Sequence, residues 1–155
     1  MQQLLNRRTE NGQWMQGCEH TTSLLNKNVR NKVIFDAIES LIKIEKQFDT
    51  IACCGTSGLL VVPQISEILK KNILVVRKRN EQRYSPFAYE GAVPEKYIII
   101  DDLICSGKTV KHIINTISED CTRAKCLGVY VFFKDKCAYK ADSSLCKRDL
   151  GIEYL

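Results

Sequence analysis

Tyr97-Ile98-Ile99-Ile100-Asp101-Asp102-Leu103-Ile104-Cys105-Ser106-Gly107-Lys108-Thr109-Val110 decides how this chain is read. Three isoleucines, Ile98 to Ile100, run directly into two adjacent carboxylates. A strand this apolar belongs in a parallel sheet with both faces covered. Asp101 and Asp102 then stand at its carboxyl end, where open α/β sheets bind their ligands. Ser106-Gly107-Lys108-Thr109 opens a helix. The free N–H groups of a helix start, with hydroxyls beside them, make a phosphate cradle. Carboxylates that can hold sugar hydroxyls thus lie a few residues before amides that can hold a phosphate. A phosphorylated ribose presents both ends.

Two other readings of the same residues are weaker. A Walker phosphate loop needs glycine five positions before Gly107. That position is Asp102, whose charge repels a phosphate. An ordinary strand-to-helix turn capped by Ser106 accounts for the helix start. It does not account for the acidic pair, whose mutual repulsion costs stability unless a cation or hydroxyl answers it.

The flanking sequence supplies the rest of a sheet. Val33, Ile34, Ala37, Ile38, Leu41, Ile42 and Ile44 recur at three- and four-residue spacing and predict a helix over about 28–48. Ile51 to Cys54 reads as a short buried strand, Gly55 to Gly58 as a turn, and 59–70 as a helix that tolerates Pro63 near its start. Ile73 to Val76 reads as another strand, followed by the basic triplet Arg77-Lys78-Arg79. After the acidic strand, a helix is expected over 107–119 and a strand over 125–133. Strands separated by helices imply parallel pairing with right-handed crossovers. The expected fold is therefore α/β, an open, mostly parallel sheet flanked by helices, built as one domain over 1–155. Residues 79–95 form a long polar connection without periodicity, the kind that serves as a lid.

The stretch Ile-Ile-Asp-Asp-Leu-Ile-Cys-Ser-Gly-Lys-Thr resembles the signature of the type I phosphoribosyltransferases, which join phosphoribosyl pyrophosphate (PRPP) to a nitrogenous base and release pyrophosphate. The resemblance spans about 30–133 in element order, though about a dozen residues carry it. It implies that Asp101 and Asp102 hold the ribose hydroxyls. It implies that Cys105, Ser106, Gly107, Lys108 and Thr109 wrap the 5′-phosphate. It assigns Thr56, Ser57 and Gly58, with Arg77 and Lys78, to the pyrophosphate. It draws the lid contacts from Arg83, Tyr84, Ser85 and Glu90. Lys134, after the last strand, stands where a lysine can meet a base oxygen. Mg²⁺ is implied, carried by the substrate and within reach of Asp101 and Asp102. A small hood over the base is expected from residues 1–25 and 134–155, and a homodimer is the family's usual state. Cys105 departs from the pattern. Where the hypoxanthine–guanine branch carries Asp against a ring nitrogen, a thiol substitutes poorly. Weak or absent turnover of hypoxanthine and guanine follows. The same departure leaves a second reading open, a PRPP- or nucleotide-sensing protein of the same fold.

Composition sets outer limits. The chain has 155 residues, enough for a proper core. No apolar run reaches membrane-spanning length and the start is polar, which predicts a cytoplasmic protein. The net charge of +5 suits a cleft for a polyanion. No helix-turn-helix, zinc or aromatic-basic motif supports a nucleic-acid partner. Eight cysteines form no paired metal-ligand motif and read as reduced thiols, with a Cys137–Cys146 disulfide as the minor alternative. Cys18 and His20 are too few to hold a metal. His112 is expected at the surface, and neither histidine is given a catalytic role.

Overall fold

The structure, a computed structural model, describes residues 7–8, 14–15, 19–78, 86–134 and 153–155. Near the start, β1 (Arg7–Arg8) and β2 (Trp14–Met15) form a two-stranded antiparallel ladder. Then come α1 (Glu19–Leu25) and α2 (Lys27–Leu41). Asn26 sets the start of α2, its Oδ1 accepting from the N–H groups of Asn28 (2.9 Å) and Val29 (3.4 Å). The expected helix over 28–48 divides at Leu41, and Ile42–Gln47 continues as a 3₁₀ turn.

The main sheet has six strands. They are β3 (Thr50–Cys54), β4 (Asn72–Val76), β5 (Tyr89–Gly91), β6 (Lys96–Asp101), β7 (Lys125–Val131) and β8 (Glu153–Tyr154), in the order β5-β4-β3-β6-β7-β8. All neighbours run parallel except β4 and β5. Three helices follow strands: α3 (Gly55–Leu59) and α4 (Val62–Leu69) after β3, and α5 (Lys108–Asp120) after β6. Gly55–Gly58, expected as a turn, is thus the body of a short helix. The helix expected over 59–70 starts instead at Val62, with Pro63 in its first turn, where a missing N–H costs nothing.

The central strands carry the core. Ile98, Ile99 and Ile100 are wholly buried, as are Ile51, Ala52 and Cys53. Alternate residues face opposite sides. Ile51, Cys53, Ile98 and Ile100 pack with residues of α1, α2 and α4, including Leu24, Ala37 and Ile65. Ala52, Cys54, Tyr97 and Ile99 pack with Val110, Ile113 and Ile117 of α5. Burying each isoleucine contributes about 1.5–3 kcal/mol, so the strand leading to Asp101 is among the firmest parts of the molecule. Asp49 fixes its other end by accepting from the N–H of Lys96 at 2.7 Å.

The strand order reverses beside β3. β4 lies on one side of it, and the chain then crosses to β6 on the other. Pairing between β3 and β6 stops at Ala52↔Ile99, although β3 runs on to Cys54 and β6 to Asp101. The two strands therefore part at their carboxyl ends, which opens a crevice at the topological switch point.

Candidate active site

An open crevice of about 360 Å³ occupies that parting. Asp101, Asp102, Cys105, Ser106, Gly107, Lys108 and Thr109 line one side of it, and Ser57 and Lys78 line the other. Residues from three separate strand ends, all singled out in the sequence, meet here. Cys54, Leu103, Ile104 and Val110 also line it, and these four carry no chemical signal legible in the sequence.

Backbone bonding places the acidic pair. Phe132 N–H donates to the Asp101 carbonyl (3.3 Å) and Phe133 N–H to the Asp102 carbonyl (2.9 Å), so the β6–β7 ladder grips both residues. Their carboxylates stabilise the turn that follows. The Asp102 N–H donates to Asp101 Oδ1 and the Leu103 N–H to Asp102 Oδ1, both at 2.9 Å. Asp101 is 6% exposed, whereas Asp102 is half-buried. Burial drives the Asp101 carboxyl well above the usual carboxylate range, and the charge of Asp102 pushes it the same way. The Asp102 N–H and the Lys78 ammonium offset part of this. A buried acid in this state favours a partner that donates hydrogen bonds or carries positive charge.

The phosphate-type turn is open. Gly107, not Ser106, occupies the N-cap of α5, with φ 70°, and no side chain caps the helix. Its first amides have no partner within the helix by construction. The left-handed φ explains the glycine, since a β-carbon there costs about 1–2 kcal/mol. Cys105, Ser106, Lys108 and Thr109 are exposed around it.

No protein-family model and no curated protein sequence matches this chain. Solved structures do. Orotate phosphoribosyltransferase from Aeropyrum pernix aligns with a TM-score of 0.66 at 12% identity, covering 96% of this chain and 82% of that one. Adenine phosphoribosyltransferase from Saccharomyces cerevisiae aligns at 0.61 and 16%, covering 98% and 92%. This is the phosphoribosyltransferase fold. UMP synthase from Leishmania donovani aligns at 0.65 and 16% identity over 99% of this chain, which spans 32% of that longer protein. At these identities the likeness is one of fold.

Within the phosphoribosyltransferase fold, the residues assigned to pyrophosphate divide between two pockets. Ser57 and Lys78 face the crevice. Thr56 and Arg77 line a neighbouring pocket of about 310 Å³ with Gly55 and Glu90. Gly58 is buried, packed so closely that a β-carbon on it would lie 2.7 Å from Cys53 Cβ. Arg77 forms an ion pair with Glu90, which joins the end of β4 to β5. Glu90, expected in a patternless loop, therefore sits on a strand. Arg83, Tyr84 and Ser85 lie outside the described residues, as do the Cys137–Cys146 pair, Cys18 and the side chain of His20.

Two other expectations change. Lys134 does not line the crevice. Its ammonium donates to the Leu155 carbonyl at 3.1 Å and lies over the rings of Tyr130 and Tyr154. His112 is half-buried rather than a surface residue, with its Nε2 2.7 Å from the Arg77 carbonyl. A carbonyl only accepts, so Nε2 carries the proton, and Thr116 Oγ1 stands 3.4 Å from Nδ1. The buried Cys53 thiol and the half-buried Cys126 thiol are both pushed up to about 12, chiefly by removal from solvent. Among the described residues no group of three or more His, Cys, Asp or Glu could hold a metal, and no helix is long and apolar enough to cross a membrane.

Proposed function

We propose that this protein transfers the 5-phosphoribosyl group of PRPP to a nitrogenous base and releases pyrophosphate. One observation carries the reading. The acidic pair, with Asp101 buried and Asp102 half-buried, and the open helix start share a single crevice at the switch point with Lys78. Asp101 and Asp102 hold the ribose 2′- and 3′-hydroxyls, and residues 105–109 hold the 5′-phosphate. Thr56, Ser57, Gly58 and Lys78, with Arg77 beside them, receive the pyrophosphate. Glu90 anchors the base of a lid that includes Arg83, Tyr84 and Ser85.

The reaction breaks the bond between the anomeric carbon and pyrophosphate, and both electrons leave on pyrophosphate. A bond to a ring nitrogen of the base forms at the same carbon. The sugar carries positive charge between these events, and the adjacent carboxylates stabilise it. Such a site acts through positioning and fixed charge. Two carboxylates fit the way Mg²⁺ binds, through one or two acidic side chains plus substrate phosphates. When bound, Mg²⁺ would screen the charge of the departing pyrophosphate. Lys134 remains a base contact only if its link to Leu155 opens. A homodimer in a reducing cytoplasm suits the fold and the buried thiols of β3.

Incubation with Mg²⁺, PRPP and a panel of bases, read by pyrophosphate release, tests the reading. Base-dependent release supports it. Saturable PRPP binding with no release for any base would favour the sensor reading instead, which the departure at Cys105 keeps in view. Strong turnover of hypoxanthine or guanine would show that Cys105 does not restrict the base.

A further inference from the structure

Arg77 is the first residue beyond β4, and bonds in three directions hold it. Its N–H donates to the Ala88 carbonyl at 3.0 Å. Its guanidinium pairs with Glu90. Its carbonyl accepts from Nε2 of His112 at 2.7 Å. The first two bonds tie Arg77 to β5 and the residue before it. The third ties it to α5.

That third bond bears on the crevice. The Arg77 carbonyl and the Lys78 nitrogen belong to one peptide unit, and a peptide unit is planar. Holding the oxygen therefore holds the plane from which Lys78 departs. The Lys78 side chain then passes close over Gly55, where a β-carbon would lie 2.8 Å from Cε and 3.3 Å from Nζ. Its ammonium reaches the crevice, where its charge acts on the Asp101 carboxyl.

His112 belongs to the other wall. It stands one turn after Lys108, the first residue of α5, and so moves as one body with the open turn before that helix. The ring is half-buried and is held at both nitrogens. Nε2 donates to the Arg77 carbonyl, and Nδ1 lies 3.4 Å from Oγ1 of the buried Thr116. With its proton on Nε2, the ring can accept from that hydroxyl at Nδ1. The Thr116 hydroxyl thus favours the tautomer that serves the Arg77 carbonyl.

We infer that His112 is a positioning residue. It holds the Arg77–Lys78 peptide in place against α5, so that the lysine from β4 keeps its register with the phosphate-type turn. It acts through Lys78 and moves no proton. Its effect on catalysis rests on the transferase reading, whereas the tie itself rests on the geometry alone.

Three variants of the full chain test this. His112→Leu removes the donor at similar size. His112→Asn keeps an amide but is too short to reach the carbonyl. His112→Gln places an amide N–H near the position of Nε2. With Mg²⁺, PRPP and a base that supports pyrophosphate release, the Leu and Asn variants should lose about tenfold in kcat/KM for PRPP, and the Gln variant less than about threefold. In a Lys78→Ala background, His112→Leu should cost less than about twofold, because the residue it acts through is gone. The nitrogen–proton correlation spectrum gives a readout without turnover. The Lys78 amide should move in the Leu and Asn variants and stay near its wild-type position in the Gln variant. Should His112→Leu not fold, the Asn and Gln variants carry the comparison. A loss that Gln does not recover, or one that persists in full without Lys78, overturns the positioning role and leaves the transferase reading standing. A Lys78 amide that does not move in the Leu and Asn variants overturns the tie. The expected pattern of amide shifts in a chain that neither binds PRPP nor releases pyrophosphate supports the tie and overturns the transferase reading.

Discussion

Two strand-to-helix turns face each other across the crevice, and they are built on opposite plans. After β3 the chain enters α3 at once: Cys54 ends the strand and Gly55 begins the helix. Gly55 has φ 79°, and a β-carbon on it would come within 2.8 Å of Lys78 Cε. Gly58 is pressed against Cys53. After β6 the chain instead takes six residues, 102–107, before α5 begins at Lys108. The first turn is closed by packing and offers little room. The second is held at its base by Phe132 and Phe133 and left open at its tip. The long turn leaves room around its tip, whereas the short turn presents the Ser57 hydroxyl to the crevice beside Lys78, which comes from the end of β4.

The largest expected effect lies in the long turn. Asp101→Asn/Asp102→Asn should reduce turnover by at least about 10³-fold, as loss of fixed charge at a reaction centre does, while the far-ultraviolet circular dichroism stays unchanged. Next is a contrast at the end of β4. Lys78 faces the crevice, whereas Arg77 is paired with Glu90. Lys78→Ala should lower kcat/KM for PRPP by about ten- to a hundredfold. Arg77→Ala should act mainly on the β4–β5 hairpin and change kcat/KM only a few-fold. Equal effects would show that both basic residues reach the pyrophosphate.

The glycines sharpen the same comparison. Gly107→Ala meets a left-handed φ and should cost about 1–2 kcal/mol of stability, together with a raised KM for PRPP. Gly58→Ala meets Cys53 and should lower the melting temperature with less effect on KM. If both variants behave alike, the two turns do not differ in the way described.

The smallest effect is a pH dependence. The folded protein raises the carboxyl of Asp101 above its unfolded range near 3.9. The native state therefore holds more protons than the unfolded state from about pH 4 up to the raised value. Stability from this group is complete below about pH 4 and is lost as pH rises through the folded pKa. Asp101→Asn should melt higher than wild type at pH 8, by a few degrees, and the difference should vanish near pH 4. A variant less stable than wild type at pH 8 would mean that Asp101 is not held against its own charge. For the same reason, PRPP with Mg²⁺ should bind more tightly as pH rises from 6 to 8.5, with release of a proton.

The sequence displayed what has its own local cause. The run Ile98 to Ile100, the acidic pair and the helix start are legible because burial, charge and chain direction all change within a dozen residues. The β3 strand was legible for the first reason alone. What escaped depends on partners elsewhere in the chain. Tyr89–Gly91 becomes a strand because its backbone pairs with the edge of β4, and its own residues show no alternation. Glu153–Tyr154 is a strand only through pairing with β7. Ser106 has the right side chain for a cap, yet the chain turns left-handed at Gly107 and places that residue there instead. His112 reads as a polar residue on an exposed helix, and only the folded structure brings the Arg77 carbonyl to it.

The central claim is that one crevice grips both ends of a phosphorylated ribose. Calorimetric titration of PRPP with Mg²⁺ into the wild-type chain, beside Asp101→Asn/Asp102→Asn and Gly107→Ala, tests it most directly. One saturable site is expected in wild type, lost in the acidic-pair variant and weakened in the glycine variant. Binding that survives the loss of both carboxylates, or no binding by a folded wild-type chain, would contradict it.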